Sequence, residues 1–391
     1  MFNFYGAETI DYQTNNQIGT TETKYLPFIC SSVRFLTEDV LDDCPMIVTG
    51  SWMEEINRVS LWQYDISFKL DEKVIQVESE AEDCACIGVI GDNKDEPRLL
   101  SSLVHDGDIL ALEVNKRSRI VFSSGSTGCL NIYALDRESS LKRILKEPLY
   151  PDLGNAAPIG CLSALSDASK LYFGDDLGNL RMLDVERATR ECEAIQEVGK
   201  ITTGINAVHH MDSHIVACVT QSGILHVYDT RKSGSQASCY KTFRPNSCSP
   251  LLCLDQHPGY PNLLAVGGYS EMGIPAYIWD LRDLHSDPAP LAELSVPGEA
   301  IWDIKFNPIQ PNQLLVASHE EGLMCISPEV KSNDGIVWCS LHANRPRLGI
   351  SAGIQDSKVK NCHSFDMTNS KIVAVNDEGL MITASQNSCH Y

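Results

Sequence analysis

The residues whose types and spacing could do chemistry fall in a few short stretches. His209, His210 and His214 in VHHMDSHIV invite a metal reading, since imidazole suits several transition metals. The first two are adjacent on a strand-like segment, where neighbours project to opposite faces, so they are not expected to share one ion. Cys84 and Cys86 are two apart, but no second pair and no nearby histidine set completes four ligands. His105, Asp106, Gly107 and Asp108 place an imidazole beside carboxylates, the raw material of acid–base catalysis. No serine or cysteine nucleophile motif accompanies them. The other reading is that the histidine and an aspartate hydrogen-bond inside a sheet, satisfying groups that would otherwise be buried unpaired. Tyr228-Asp229-Thr230-Arg231 and Trp279-Asp280-Leu281-Arg282 each close a strand-like run with an aspartate two residues before an arginine. No catalytic, cofactor-binding or metal-ligating residue is assigned, and the chain is not expected to be an enzyme.

Behind these stretches lies one repeating unit. Leu251 to Arg282 reads as strand, turn, strand, turn, strand. Leu252 and Leu254, then Leu264 and Val266, alternate with smaller or polar neighbours at period two. His257 to Asn262 supplies a turn rich in proline and glycine, and Tyr277-Ile278-Trp279-Asp280 ends the unit. Taking the residue aligned with Trp279 as marker gives Trp62, Tyr133, Leu183, Tyr228, Ser327 and Ala384 as its counterparts. A unit of this size cannot bury both its faces alone, so the copies must pack side by side. The expected fold is all-β, a seven-bladed WD40-type β-propeller forming a single domain over 21–388.

The last unit offers strands near Asn361–Asp366, Lys371–Val375 and Leu380–Ser385 and then stops. An N-terminal strand around Thr21–Phe28 is expected to complete that blade and cover the edge it would otherwise expose. Residues 1–20 form a polar segment, expected to be partly mobile. Outer strands are expected at Glu72–Val77 in the first blade and within GIVWCSLH, 335–342, in the sixth. The acidic segment 78–88 reads as an insertion, and Arg345-Pro346-Arg347 falls on a surface loop after the strand holding Trp338.

Lysine and arginine number 31 against 52 aspartates and glutamates, a formal charge of −21, so a phosphate backbone would be repelled and direct nucleic-acid binding is not expected. The 15 cysteines show no repeating spacing and sit mostly on strand-like segments, as free thiols in a reducing compartment would. The N-terminus lacks a signal-peptide pattern and no apolar run approaches a membrane span, so an intracellular protein without membrane insertion is expected.

GSWMEEINRVSLW (50–62), HDGDILALEV with RIVFSSGSTGCLNIY (105–133), LLCLDQHP with LLAVGG and IWDLR (251–282), and EAIWDIKFNP (299–308) go beyond a generic repeat. In order and register they resemble the WD-repeat nucleoporins of about 43 kDa, close to the 43.2 kDa of this chain, from the Y-shaped outer-ring scaffold of the nuclear pore. The resemblance runs from Phe28 to Ser385 and is most specific in blades one, two and five. The MEEIN turn, the extra residue before Tyr277, and Ser327 in place of an aromatic–aspartate ending mark a divergent relative. What the resemblance implies is a scaffold subunit at the nuclear envelope, supporting nucleocytoplasmic and mRNA transport. Its implied partners are other nucleoporins, chiefly a helical-solenoid subunit of the short arm, and it further implies a kinetochore association in mitosis. Phe173-Gly174 is the chain's only Phe-Gly dipeptide, which fits scaffold rather than channel barrier. Asp108, Trp302, Arg231 and Arg282 are the partner-binding candidates, from their expected rim positions. Trp302 is read either as core or as projecting at the mouth of the channel. The alternative reading is a substrate receptor of a cullin-RING ubiquitin ligase, engaging the ligase adaptor through Arg231 or Arg282.

Overall fold

The computed structural model describes residues 21–37, 45–63, 97–137, 139–148, 157–188, 194–231, 239–245, 249–270, 274–283, 289–296, 298–319, 322–327, 349–351, 361–368 and 371–385. Segment 1–20, the segments 72–77 and 335–342 expected as strands, the acidic 78–88 with Cys84 and Cys86, and Arg345 to Arg347 lie outside these residues.

The chain begins with β1 (Thr21–Tyr25), and then come β2 (Cys30–Phe35), β3 (Met46–Ser51), β4 (Arg58–Gln63) and β5 (Arg98–Val104), which form a sheet. The next is β6 (Ile109–Asn115), β7 (Ile120–Gly125), β8 (Cys129–Leu135) and β9 (Leu141–Pro148). A third holds β10 (Ile159–Ala164), β11 (Lys170–Asp175), β12 (Asn179–Asp184) and, after the helical turn α1 (Val185–Ala188), β13 (Ile195–Lys200). Then come β14 (Ile205–His210), β15 (Ile215–Thr220), β16 (Leu225–Asp229) and β17 (Cys239–Phe243). They are followed by β18 (Leu251–Gln256), β19 (Leu263–Gly268), β20 (Ile274–Asp280) and β21 (Ala292–Val296). A further sheet has β22 (Ile301–Phe306), β23 (Leu314–Ser318), β24 (Gly322–Ser327) and β25 (Gly349–Ser351). The last three strands, β26 (Cys362–Met367), β27 (Lys371–Asn376) and β28 (Leu380–Ser385), share a sheet with β1, in the order β1-β28-β27-β26. Among the described residues this makes seven four-stranded antiparallel sheets, and the fold is an all-β, WD40-type β-propeller. β1 runs along β28 with Thr21 opposite Ala384 and Tyr25 opposite Leu380.

Every marker residue read from the repeats falls on the third strand of a sheet, from Trp62 on β4 to Ala384 on β28. Two outer strands differ from expectation. The first sheet takes β5 (Arg98–Val104) as its fourth strand, not 72–77, and the sixth takes β25 (Gly349–Ser351), not 335–342. An outermost strand lies at a sheet edge and need not alternate strongly, so in a long connection after the third strand sequence pattern does not single out the segment that pairs.

Two local rules join one sheet to the next. Gly50, Gly174 and Gly267, each fifth in the second strand of its sheet, lie under the first isoleucine of the following innermost strand. A Cβ there would stand 2.7, 2.6 and 2.6 Å from Cγ2 of Ile109, Ile205 and Ile301. Only a bare Cα admits that approach. Secondly, all seven innermost strands carry a β-bulge at their second residue, so that Ser31, Leu110, Gly160, Asn206, Leu252, Trp302 and His363 fall out of the regular pairing. Among the described residues the core falls into seven clusters, one between each sheet and the next, with Trp279, Tyr133, Tyr172 and Tyr277 among the largest buried side chains. The described cysteines are free, five of them buried in innermost or second strands. No helix among the described residues is long and apolar enough to cross a membrane.

Candidate functional site

The innermost strands line the central axis, and the fifth residue of each points a polar or charged group at it: Arg34, Glu113, Ser163, His209, Asp255, Lys305 and Asp366. An innermost strand is a sheet edge, and its unpaired N–H groups need acceptors. The fifth residues supply them. Asp255 accepts from the Phe306 amide at 2.8 Å, Asp366 from Phe35 at 2.9 Å, Ser163 Oγ from His210 at 3.0 Å, and Glu113 from Ala164. Each bond crosses to the sixth residue of the next innermost strand. Where the fifth residue is a cation the link is made otherwise: Asp303 lies 3.7 Å from Arg34 Nη1 and accepts from the Phe365 amide at 3.3 Å.

Charge concentrates where β26 meets β2. Asp366 faces Lys116 at 3.3 Å and Lys305 at 3.1 Å, while Arg34 Nη1 donates to Ser364 Oγ at 3.0 Å. Burial pushes the Asp366 carboxyl up, but Lys116, Lys305 and Arg34 outweigh it and hold it far below the usual carboxylate range. Glu113 goes the other way, raised by burial against the pull of Arg34 and Lys305. Asp255 is likewise raised by burial, to about 6, with the Phe306 amide and Lys305 opposing. These carboxylates are engaged with cations and amides, which is the chemistry of a structural belt joining the sheets. Sequence reading missed this belt. Its signal is a polar residue at one offset in seven copies, which emerges only once the innermost strands are aligned.

The histidine pair is corrected in part. His209 and His210 do not diverge; their rings stack with centroids 5.3 Å apart and 14° between planes, at the end of a twisted strand. Burial lowers both to about 4, His209 adding to the effect on His210, so neither carries charge at neutral pH. Among the described residues no three histidines, cysteines or carboxylates gather as metal ligands do. His105 is buried, its Nδ1 3.1 Å from the Gly107 carbonyl and its Nε2 3.1 Å from Asn131 Nδ2. Asp106 pairs with Lys146.

The four partner-binding candidates separate into two kinds. Asp108 faces inward: its Oδ1 accepts from the Met53 amide at 2.8 Å and from Asn57 Nδ2 at 3.1 Å, fastening the MEEIN turn of the first sheet to the second. Glu54 holds the other side of that turn, accepting from the Ile29 amide at 2.8 Å. Arg231 and Arg282 fold back on the aspartates two residues before them, Asp229 at 2.7 Å and Asp280 at 2.6 Å, each through two guanidinium nitrogens. Trp302 is the outward one. It occupies a bulge and is 45% exposed, so its packing in the core is excluded. The structure does not bring the four together. Asp108 and Trp302 lie at the end holding the turns between second and third strands, Arg231 and Arg282 at the opposite end.

Comparison with known proteins gives no matching family model. The chain is 25% identical to the mouse nucleoporin Nup43 over 70% of its own length and 67% of that protein's. With the human Nup43 it shares 24% identity over 77% and 75% of the two chains. A diphthine methyltransferase homologue from Dictyostelium discoideum is 34% identical over 28% of either chain. In structure it is similar to a chain in the crystal structure of a mitotic checkpoint complex, with TM-score 0.64 and 11% identity across 98% and 97% of the two chains, a likeness of fold. The sequence is thus similar to a divergent WD-repeat nucleoporin of the Nup43 kind.

Proposed function

We propose that this chain is a non-enzymatic scaffold subunit of the nuclear pore, acting in the Y-shaped outer ring and supporting nucleocytoplasmic transport. The observation that carries the reading is the similarity to two Nup43 proteins across most of the chain. The propeller agrees with it, since a rigid ring of sheets offers loops and edges to partners without needing a reaction centre. Its charged channel groups are occupied in joining strand to strand, which leaves little free for catalysis. In this reading residues 21–388 form one domain, a ring of seven blades closed by β1 in the last. Its partners are other nucleoporins, chiefly a helical-solenoid subunit, with a kinetochore association in mitosis.

Affinity purification of the tagged full chain from its own cells tests the proposal. Nucleoporins identified by mass spectrometry are the expected yield. Recovery of a cullin-RING ligase adaptor with no nucleoporin would overturn it in favour of a substrate receptor. The closed Asp229–Arg231 and Asp280–Arg282 pairs speak against that second role, because an arginine already chelated by its neighbour must be released before it can engage an adaptor.

A further inference from the structure

Both ends of the propeller expose apolar side chains, but they differ in the charge around them. At the end holding the turns between second and third strands, Met53 and Ile56 are 72% and 54% exposed and flank the exposed Glu55. Leu177, 54% exposed, follows the exposed Asp176. Trp302, at the channel mouth, stands three residues after the exposed Glu299. Among the described residues none of these three carboxylates has a basic partner. Of the described basic residues at this end, Lys146 pairs with Asp106 and Lys200 with the Leu177 carbonyl at 2.7 Å and Asn179 Oδ1 at 2.6 Å, while Arg58 and the exposed Arg244 stand on the first and fourth sheets. At the opposite end the exposed Tyr260 and Ile309 are flanked by uncharged residues, the exposed Asp167 and Asp212 accept from backbone amides of their own turns, and Arg231 and Arg282 are paired with their own aspartates.

An exposed apolar side chain beside an unpaired carboxylate, repeated on three sheets of one face, describes a complement: a segment alternating apolar and basic residues. We propose that this face docks a basic, apolar-bearing segment of a partner nucleoporin. The segment's apolar side chains pack on Met53, Ile56, Leu177 and Trp302, and its lysines or arginines meet Glu55, Asp176 and Glu299. The inference rests on the scaffold reading above and names the partner chemistry within it. Apolar anchors supply the affinity, and the carboxylates set the choice of partner and the rate of encounter. The anchor at Met53 is held before any partner arrives. Its φ of 55° is fixed by the Asp108 and Glu54 hydrogen bonds, so little ordering remains to be done on binding. A partner seated here touches Asp108 indirectly, through the turn it positions.

The test uses the tagged full chain in its own cells, with the photocrosslinking residue p-benzoylphenylalanine placed at Met53 or, as a control on the opposite end, at Tyr260. The Met53 probe is expected to capture a nucleoporin segment carrying both basic and apolar residues, and the Tyr260 probe not to capture it. Ile56→Asp should lower nucleoporin recovery by about tenfold with unchanged thermal melting, as truncating an interface anchor does. Glu55→Lys should lower it several-fold, with the difference shrinking at high salt. Capture of an acidic segment, capture from Tyr260 alone, or recovery indifferent to Ile56→Asp would overturn this docking surface while leaving the scaffold role intact. Failure of the unsubstituted chain to recover any nucleoporin would overturn both.

Discussion

Asp366 sits where three cations and a backbone amide converge, and it holds the last sheet to the first. Asp366→Asn removes the charge that Lys116, Lys305 and Arg34 share and should cost about 3 kcal/mol in chemical denaturation at neutral pH. The sign of the pH effect follows from its lowered carboxyl. The stabilisation is complete above the ordinary carboxylate range and fades as pH falls through the folded value, so the variant should lose less stability in acid than the natural chain. Asp255 behaves oppositely. Its carboxyl is raised to about 6, so its charge destabilises the fold above that pH, and the penalty is relieved as pH drops from about 6 to 4. Asp255→Asn keeps an oxygen for the Phe306 amide and should gain about 1–3 kcal/mol at pH 7, a gain that vanishes below about pH 4. Unchanged stability at pH 7 would show that burial does not raise the Asp255 carboxyl. These residues are visible in the sequence as charges, yet nothing in a linear reading says that they share one ring. Trp302 was readable only as two alternatives, because a bulge shifts the alternation that would have decided between them.

The joints between strands belong to the next scale. Gly267 lies under Ile301, and Gly267→Ala should cost about 1–3 kcal/mol because the added methyl would stand 2.6 Å from both Ile301 Cγ2 and Cys253 Sγ. Gly160 is the internal control: a Cβ there meets nothing within 4 Å, and Gly160→Ala should change stability by less than about 0.5 kcal/mol. Equal effects of the two substitutions on urea midpoints would deny the glycine–isoleucine joint. The second and third strands were legible because both their faces are covered, one sheet against each neighbour, and their sequences are correspondingly apolar, as in LLAVGG and IVACVT. The outer strands were not: RLLSSLV mixes exposed and buried positions, and GIS at 349–351 is too short to carry a pattern. Asp108 is turned toward the first sheet, where its Oδ1 accepts from Met53 and Asn57. The sequence shows a carboxylate near the rim, but only the fold shows the Met53 amide pointing at it.

At the scale of the molecule, the account needs a closed ring whose two ends differ. Closure in our reading depends on β1, so deleting residues 1–25 should leave the β28 edge bare, lower the melting temperature well beyond the effect of any single substitution above, and promote self-association seen by light scattering. A truncated chain that melts as the full one does and stays monomeric would show that β1 is dispensable. The difference between the ends is what turns the ring into a scaffold. One end closes Arg231 and Arg282 on their own aspartates, and the other sets Glu55, Asp176 and Glu299 near exposed apolar side chains for a partner to satisfy. The most direct measurement of the central claim is the position of a fluorescently tagged full chain in living interphase cells. The account predicts a punctate nuclear rim that is lost with Ile56→Asp and kept with Tyr260→Ala, and a tagged natural chain spread evenly through the cell would contradict it.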